Sequence, residues 1–320
     1  MGGRDEAASW LDQPGTCVAD AGDHAMTTDD TSKRDVAHTV ASTDRYFGHE
    51  HLTIIEPRQG WHMLDWRELW AYRELLWVLT ARDVKVRYKQ TVLGAAWAVL
   101  RPLMTMLIFS VVFGRLAKMP SDDIPYPIFV YAALLPWTFF AAAISASGQS
   151  LVGSAHLVSK VYFPRLIIPL SSIGAGLVDL LVSCVILLLL MYLYGIGWTW
   201  HLIAAPLLIA GVVFTALGTG TLLSAVTVAY RDFTHVTPFM VQIWMYVTPV
   251  IFPLSLVPER WQWLLYLNPM TGIVEGFRAV FLGRPFDVVG LTTSFVIALL
   301  TFVIGVAYFE KVERRFADVI

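Results

Sequence analysis

The sequence is short of charge. Only 15% of its 320 residues are Asp, Glu, Lys or Arg, whereas 56% are hydrophobic. A soluble protein of this length has about a quarter charged residues, and the mean hydropathy here is +0.60. The apolar residues gather in runs of roughly twenty or more, long enough to cross a bilayer core about 30 Å thick. A water-soluble fold is therefore excluded, and we expect a polytopic membrane protein.

The sequence also lacks the common ligand-binding motifs. Its two cysteines, Cys17 and Cys184, cannot build a disulfide framework or a zinc cluster, so we expect unpaired thiols and no metal site. No glycine is followed by lysine, which excludes the phosphate loop GxxxxGK(S/T), and neither GxSxG nor HExxH occurs. We therefore expect no catalytic residue and no cofactor in this chain, and energy supplied by another protein.

The first 50 residues differ from the rest. Residues 1–60 hold eleven Asp and Glu against five Lys and Arg, while the remainder is mildly basic, so a nucleic-acid partner is not expected. Residues 1–50 have too little apolar surface to offset the entropy of ordering, which predicts an acidic, mostly disordered cytoplasmic tail. The tail has no basic segment followed by an apolar one, so we do not expect a cleaved signal peptide. Met26 is an alternative start of translation.

We predict that residues 51–91 form a cytoplasmic segment that contains one helix. From residue 66 to 83 most tryptophans fall on one helical side, and indole rings and arginines suit the headgroup zone of a membrane. We predict an interfacial amphipathic helix along the membrane rather than a helix of a soluble domain. A basic flank follows it. The candidate residues of this region are Trp66, Arg73, Trp77, Arg82, Asp83, Arg87, Tyr88 and Lys89.

Six apolar runs, each long enough to cross a bilayer, occupy residues 92–309. They lie at about 92–114, 126–149, 167–193, 202–228, 236–255 and 287–309. With the termini inside, the cytoplasmic segments from residue 58 onward carry thirteen Lys and Arg against five in the outer loops. This excess of positive charge predicts that both termini, including residues 310–320, are cytoplasmic. The predicted fold class is all-α integral membrane, with six transmembrane helices.

Between the fifth and sixth runs, residues 257–284 contain two shorter apolar pieces that meet at Asn268 and Pro269. Each piece is too short to span a membrane, and proline lacks the N–H that a continuous helix needs. Glu275 and Arg278 are three residues apart, so their side chains can pair. We predict a helical hairpin that is re-entrant or lies on the outer surface.

Few ionisable side chains lie inside the runs. Asp179 is in the middle of the third run and is either a functional carboxylate or a polar contact between helices. Aromatic faces along a path can stack on sugar rings, although packing against lipid explains the same residues. The candidates for such a path are Arg101, Tyr131, Trp137, Phe140, Asp179, Trp244 and Tyr246.

Four segments in a fixed order carry a family resemblance: residues 73–102, 158–165 (VSKVYFPR), 230–233 (YRDF) and 267–278 (LNPMTGIVEGFR). Together they resemble the membrane (permease) subunits of type-2 ABC exporters for bacterial surface polysaccharides such as O-antigen, capsule and teichoic acid. The similarity runs from about residue 54 to the C-terminus, and many members have glutamine where Arg101 stands. It implies the pore subunit of an ATP-driven exporter that moves a polysaccharide or lipid-linked glycan across the inner membrane.

The resemblance also implies partners and residue roles. Such permeases are homodimers joined to two cytoplasmic ATPase subunits, which hold the ATP and Mg. The turn at 154–165 would be a coupling helix seated on the ATPase, the loop at 230–232 a second contact, and the hairpin an outer gate. The ATPase-coupling residues would be His156, Lys160, Tyr162, Phe163, Pro164, Arg165, Tyr230, Arg231 and Asp232, and the outer-gate residues Asn268, Pro269, Glu275 and Arg278.

The residues of the turn are suited to such a contact. Lys160 and Arg165 are cations able to pair with carboxylates of a partner, and Tyr162 and Phe163 are large side chains of the kind that fill interface pockets. Three other functions stay open: a type-2 ABC exporter of a small lipid or drug, an intramembrane enzyme, and an ion-driven carrier. The last two are disfavoured because clustered carboxylates, histidines and relay groups are scarce.

Overall fold

The structure is a computed structural model that describes residues 66–89 and 96–319. The side chains of Trp66, Ser159 and residues 314–319 are outside that description. The predictions for the tail at 1–50 and for a start at Met26 also lie outside the described residues. The predicted domain bounds therefore stay predictions.

The described residues fold into helices joined by short connections. The helices are α1 (Trp66–Ala71), α2 (Arg73–Lys89), α3 (Ala96–Phe109), α4 (Tyr126–Gly153), α5 (Ala155–Lys160), α6 (Ile167–Leu193), α7 (Ala205–Ala229), α8 (Phe233–Val247), α9 (Glu259–Tyr266), α10 (Pro269–Leu282) and α11 (Val288–Val319). A π-helix over Ser110–Leu116 continues α3, and short 3-10 helices lie at Trp200–Ala204 and Leu254–Leu256.

Among the residues that the structure describes, five helical segments are long and apolar enough to cross a membrane. They are Ala96–Leu116, Tyr126–Gly153, Ile167–Leu193, Trp200–Ala229 and Val288–Glu313. Each overlaps one of the predicted runs, and within the described residues no strand occurs. The predicted class, an all-α membrane protein, is confirmed.

The fifth predicted run, at 236–255, does not form a helix of spanning length. α8 has 15 residues and ends at Val247, which is about 22 Å at the usual rise per residue. Thr248 is extended, with ψ 138°, because a proline clashes with a helical residue before it and Pro249 follows. The predicted count of six spans is therefore not reproduced at this position.

α4 and α10 occupy the centre of the bundle. α4 contacts α3, α6, α7 and α10, and its residues 128–137 are all buried. α10 is buried except at Glu275. Asn268 caps its first turn, Pro269 begins it, and Gly283 ends it with a φ of 69°, a conformation that glycine adopts without strain. The hairpin predicted at 257–284 is thus α9 and α10, and α10 is inserted into the bundle.

Two glycines set the distance between α7 and α11. A Cβ added at Gly218 would lie 2.6 Å from the Cα of Phe302, and one added at Gly305 would lie 2.3 Å from the carbonyl oxygen of Gly218. Real Cβ atoms do not approach backbone so closely, because the atoms would overlap. These positions therefore need glycine for the two helices to pack in direct backbone contact.

The bundle has two ends with different cores. At one, which we call the α5 end, buried apolar side chains of α2, α5, α6, α7 and α11 form a separate cluster. At the other, the hairpin end, α9, α10 and the chain after α8 meet the first turns of α4 and α11. The main apolar core extends from the hairpin end through the bundle.

α2 differs from the predicted interfacial helix in length. The structure divides the predicted helix at 66–83 into α1 and α2, and α2 continues to Lys89. α2 packs along α6, with Thr80 against Gly174 and Arg87 paired to Asp179. It therefore lies beside the first half of α6.

Candidate functional site

The α5 end presents two adjacent aromatic residues in opposite directions. Tyr162 is 62% exposed, whereas Phe163 is 5% exposed and packs in the apolar cluster with Leu79 and Phe309. The sequence treats both rings as candidate anchors for a partner. In the structure only Tyr162 is available for that role, and Phe163 holds the turn on its own bundle.

Arg165 is bonded within the chain. Its Nη1 donates to the backbone carbonyl of Glu313 at 2.5 Å, and its backbone N–H points to the Glu313 carboxylate at 3.4 Å. Arg165 therefore ties the turn after α5 to the end of α11. This differs from the predicted role as a cation directed at a partner, and it follows from the end of α11 lying beside the start of α6.

The other predicted coupling residues lie on the surface at the same end. His156 and Lys160 on α5 are exposed, and Pro164 is half-buried. The loop between α7 and α8 is exposed at Tyr230, Arg231 and Asp232, and it follows Val228, which belongs to the same apolar cluster as Phe163. The structure thus brings the two predicted contacts to one end of the bundle.

The predicted interfacial residues separate into exposed and paired groups. Trp77 and Lys89 are exposed, and Arg73 stacks on the Trp70 ring at 5.6 Å. Arg82 pairs with its neighbour Asp83 at 2.8 Å. Arg87 and Tyr88 instead contact Asp179 on α6.

Most of the predicted path residues are not at an open surface. Tyr131, Trp137 and Phe140 on α4 are buried in the core of the chain. The sequence did not distinguish α4 from the other runs because all of them are similarly apolar. Arg101 and Tyr246 are exposed.

Asn268 connects the end of α8 to the start of α10. Its Oδ1 accepts from the Trp244 Nε1 at 2.9 Å and from the Met270 backbone N–H at 3.0 Å, and its Nδ2 donates to the Thr248 Oγ1 at 2.8 Å. Trp244 was a predicted path residue, but its indole N–H is used in this connection. Pro269 is suited to the first position of α10 because no N–H is needed there.

Arg278 is the largest fully buried side chain of the described residues. Its Nη1 pairs with Glu275 at 2.7 Å, and its Nη2 donates to the carbonyl of Val250 at 2.8 Å. Nη1 also donates to the carbonyl of Phe252 at 3.3 Å, and the guanidinium lies 3.8 Å from the Phe129 ring centroid. The predicted pairing with Glu275 is present, and Arg278 also fastens the segment after α8 to α4 and α10.

A second polar group at the hairpin end was not predicted from the sequence. Arg284 donates to the Asp122 carboxylate at 2.5 Å, and Ser255 donates to it at 2.9 Å. Burial alone would raise the pKa of Asp122, but these bonds outweigh it and hold that pKa below its ordinary value of 3.8. In the sequence this group is marked only by the adjacent acidic residues at 122–123. Arg284 is 162 residues away, so no local pattern relates it to Asp122.

Tyr266 on α9 bonds to Asp287, just before α11. Burial and the neighbouring carboxylate raise the pKa of the Tyr266 hydroxyl above its ordinary value of 10.0, so the group remains a neutral donor. Asp287, Glu275 and Arg284 line a cavity of about 270 Å³ at this end. Each of these three side chains already has a bonding partner within the chain.

Comparison with known proteins gives a family match over most of the chain. The family model described as ABC-2 type transporter matches residues 74–282. An O-antigen export system permease protein RfbA of Klebsiella pneumoniae is 27% identical over 251 residues, which cover 77% of this chain and 95% of that protein. The RfbA protein of Myxococcus xanthus is 31% identical over 218 residues, covering 67% and 83%.

A relative named for a different glycan is also similar. The polysialic acid transport protein KpsM of Escherichia coli is 26% identical over 243 residues, which cover 74% of this chain and 92% of that protein. The matched family region contains α5, the loop at 230–232 and α10. The matched region therefore contains residues of both ends of the bundle, whereas α11 lies outside it.

Proposed function

This chain belongs to the ABC-2 type transporter family, and from that membership we propose that it is the permease subunit of an ATP-driven exporter of a polysaccharide or lipid-linked glycan across the bacterial inner membrane. The observation that carries the proposal is the agreement among relatives over nearly their whole length. Both RfbA proteins are named for O-antigen export and KpsM for polysialic acid transport. The cargo class follows from those names.

A separate ATPase supplies the energy in this proposal. The chain has no GxxxxGK(S/T) loop, so ATP and Mg belong to the partner subunit. The surface for that partner is the coupling face, which consists of His156, Lys160, Tyr162 and residues 230–232. An exposed tyrosine beside a lysine is the kind of anchor and charge that a protein interface uses.

The coupling face defines the orientation. If the ATPase binds at the α5 end, that end is cytoplasmic, together with the start of α2 and the last turns of α11. The distribution of Lys and Arg supports the same orientation. Both termini are then cytoplasmic, and the hairpin end faces outward.

The permease is proposed to be a homodimer. α3, α6, α8 and α11 all expose large apolar side chains, among them Leu107 and Ile108 on α3 and Phe239 and Ile243 on α8. A second copy and the path between the copies account for an exposed α8 that is too short to face lipid across a whole bilayer. Arg101 and Tyr246, both exposed, remain candidates for that path, and α9 with α10 for the outer gate.

The cargo assignment is tested by deleting the gene and measuring the polysaccharide on the cell surface. We expect loss of one surface glycan and its recovery with the intact gene, while tolerance to drugs is unchanged. Unchanged surface glycan together with altered drug tolerance would support the small-molecule exporter instead. ATP hydrolysis by the purified chain alone would contradict the role of the partner.

The coupling face is tested with two tyrosine variants, one before the start of α6 and one in its last turn. Tyr162 and Tyr192 are both exposed and lie at opposite ends of α6. We expect Tyr162→Ala to weaken association with the ATPase subunit at least tenfold, because an interface anchor is removed, and Tyr192→Ala to leave it unchanged. Equal association of both variants would contradict the assignment.

A further inference from the structure

We propose that Asp179 is a positioning residue that fixes α2 on α6 through Arg87 and Tyr88, and that it does not contact the cargo. The proposal rests on the export function proposed above, because its consequence concerns how motion at the α5 end reaches the pore. It assigns a role to the acidic residue in the middle of the third predicted span.

Both oxygens of the Asp179 carboxylate have partners within the chain. Arg87 Nη1 lies 2.5 Å from Oδ2, and the Tyr88 hydroxyl donates to Oδ1. The two donors are consecutive residues in the last turn of α2. A carboxylate on an apolar helix is costly unless it is paired, and this pairing supplies a charge and a hydrogen bond from one neighbouring helix.

The contact extends over several turns. Thr80 touches Gly174, and a Cβ added at Gly174 would lie 3.2 Å from the Thr80 Oγ1. From Thr80 to Arg87 is about 10 Å of α2, and from Gly174 to Asp179 is about 8 Å of α6. The two helices therefore run side by side in the same direction, and the ion pair closes the far end of their contact.

The near end of this contact is the α5 end. Leu79 packs in the same apolar cluster as Phe163 and Ile167, which belong to the turn before α6 and to its first residue. A displacement of that turn thus meets α2 at Leu79 and α6 at its start. With Asp179 holding Arg87, the two helices move as one body.

The alternative is that Asp179 lines the path and binds cargo. The side chains of Arg87 and Asp179 are 35% and 32% exposed, so exposure alone does not separate the two roles. Replacing one or both members of the ion pair does separate the two roles. Removing one member leaves the other charge without a partner, whereas replacing both by apolar side chains removes the cost altogether.

The experiment compares D179L, R87M, the double variant R87M/D179L and the exchange R87D/D179R in the full exporter with its ATPase subunit. We expect each single variant to lower export about tenfold or more per ATP hydrolysed, since an unpaired charge disrupts the helix contact. We expect the double variant to recover export to within about twofold of the original. The variant R115M, which removes an exposed cation on the π-helix after α3, is the control and should not change export.

Recovery in the double variant supports the positioning role, because a cargo contact at Asp179 would remain absent there. Export as low in the double variant as in D179L would overturn the proposal, and so would full export in D179L. If D179L does not accumulate in the membrane, recovery of accumulation in the double variant supports the proposal and its failure contradicts it.

A cross-link reports the helix contact without any cargo. A Cβ at Gly174 would lie 3.8 Å from the Thr80 Cβ, which is within the spacing of a disulfide. In a chain with Cys17 and Cys184 replaced by serine, T80C/G174C should cross-link on oxidation, less so with D179L, and again with R87M/D179L. Equal cross-linking of these three chains would overturn the inference, even if the protein is shown to export a glycan. The expected pattern would support the inference even if the cargo is not a glycan.

Discussion

The two ends of the bundle are held together by different interactions. At the hairpin end, Asn268 and Arg278 bond to the backbone and side chains of the segment after α8. At the α5 end, Phe163 and Leu79 pack in an apolar cluster, while Tyr162 and Lys160 point outward. A directional polar network fixes one geometry, whereas an apolar cluster with an exposed rim leaves side chains for a partner. The comparison indicates a hairpin end fixed by polar bonds and an α5 end that leaves side chains exposed.

The largest effect is expected from breaking the hairpin end at Arg278. Replacing it with methionine leaves Glu275 without its counter-ion and the carbonyls of Val250 and Phe252 without their donor. We expect a loss of about 3–5 kcal/mol of stability, measured as a lower unfolding temperature of the purified protein. Arg260→Met, at an exposed position of α9, is the control. Equal unfolding temperatures for both variants would contradict a hairpin end fixed by Arg278.

The α5 end should respond differently at two adjacent positions. Phe163→Ala opens a cavity in the apolar cluster and should cost about 3 kcal/mol of stability. Tyr162→Ala removes only an exposed ring and should cost less than about 0.5 kcal/mol. Thermal unfolding of the two variants decides this, and a larger loss for Tyr162→Ala would show that the directions of the two rings are reversed.

Asn268 tests how much of the hairpin end depends on a single amide. Asn268→Ala removes the cap of α10 and the bonds to Trp244 and Thr248, so we expect a loss of about 2 kcal/mol. Thr248→Val removes one of these bonds and the bond from the Thr248 hydroxyl to the Trp244 carbonyl, and it should cost about 1 kcal/mol. The ratio of the two losses, from denaturant unfolding, is the measurement. A loss for Thr248→Val as large as for Asn268→Ala would place the stabilisation elsewhere.

The smallest effect is a pH dependence at Asp122. Because its pKa is lower in the folded state than the ordinary 3.8, its pairing with Arg284 stabilises the fold above that pH and is lost as the pH falls through the folded value. The pair is partly exposed, so we expect only about 0.5 kcal/mol. Asp122→Asn should lower the unfolding temperature slightly at pH 7 and have no effect at the lowest pH at which the protein stays folded. A pH-independent difference would contradict the ion pair.

The sequence predicts where the helices lie along the chain better than it predicts which side chains they contact. Long apolar runs and the proline at Pro269 give most spans and the two hairpin helices, since both signals are local. The partners of Asp179 and Arg278 could not be predicted, because Arg87 is 92 residues from Asp179 and Val250 is 28 from Arg278. Hydropathy also does not tell which apolar helix is central.

The same limit applies to residues 162 and 163. Two adjacent aromatic residues in a turn have the same composition signal, and only the path of the backbone decides which ring enters the cluster. The end of the fifth run was a local signal that the length of the run concealed, because Pro249 follows Thr248. A run of 20 apolar residues therefore shows that the segment is hydrophobic, but not that all of it is one helix.

The backbone contact between Gly218 and Gly305 limits how this protein changes shape. With no space for even a methyl group between α7 and α11, sliding either helix by one turn would drive a side chain into the backbone of the other. α7 and α11 therefore behave as one rigid body. They can tilt together but cannot slide past each other, so any rearrangement that passes a large cargo has to take place in the helices around them.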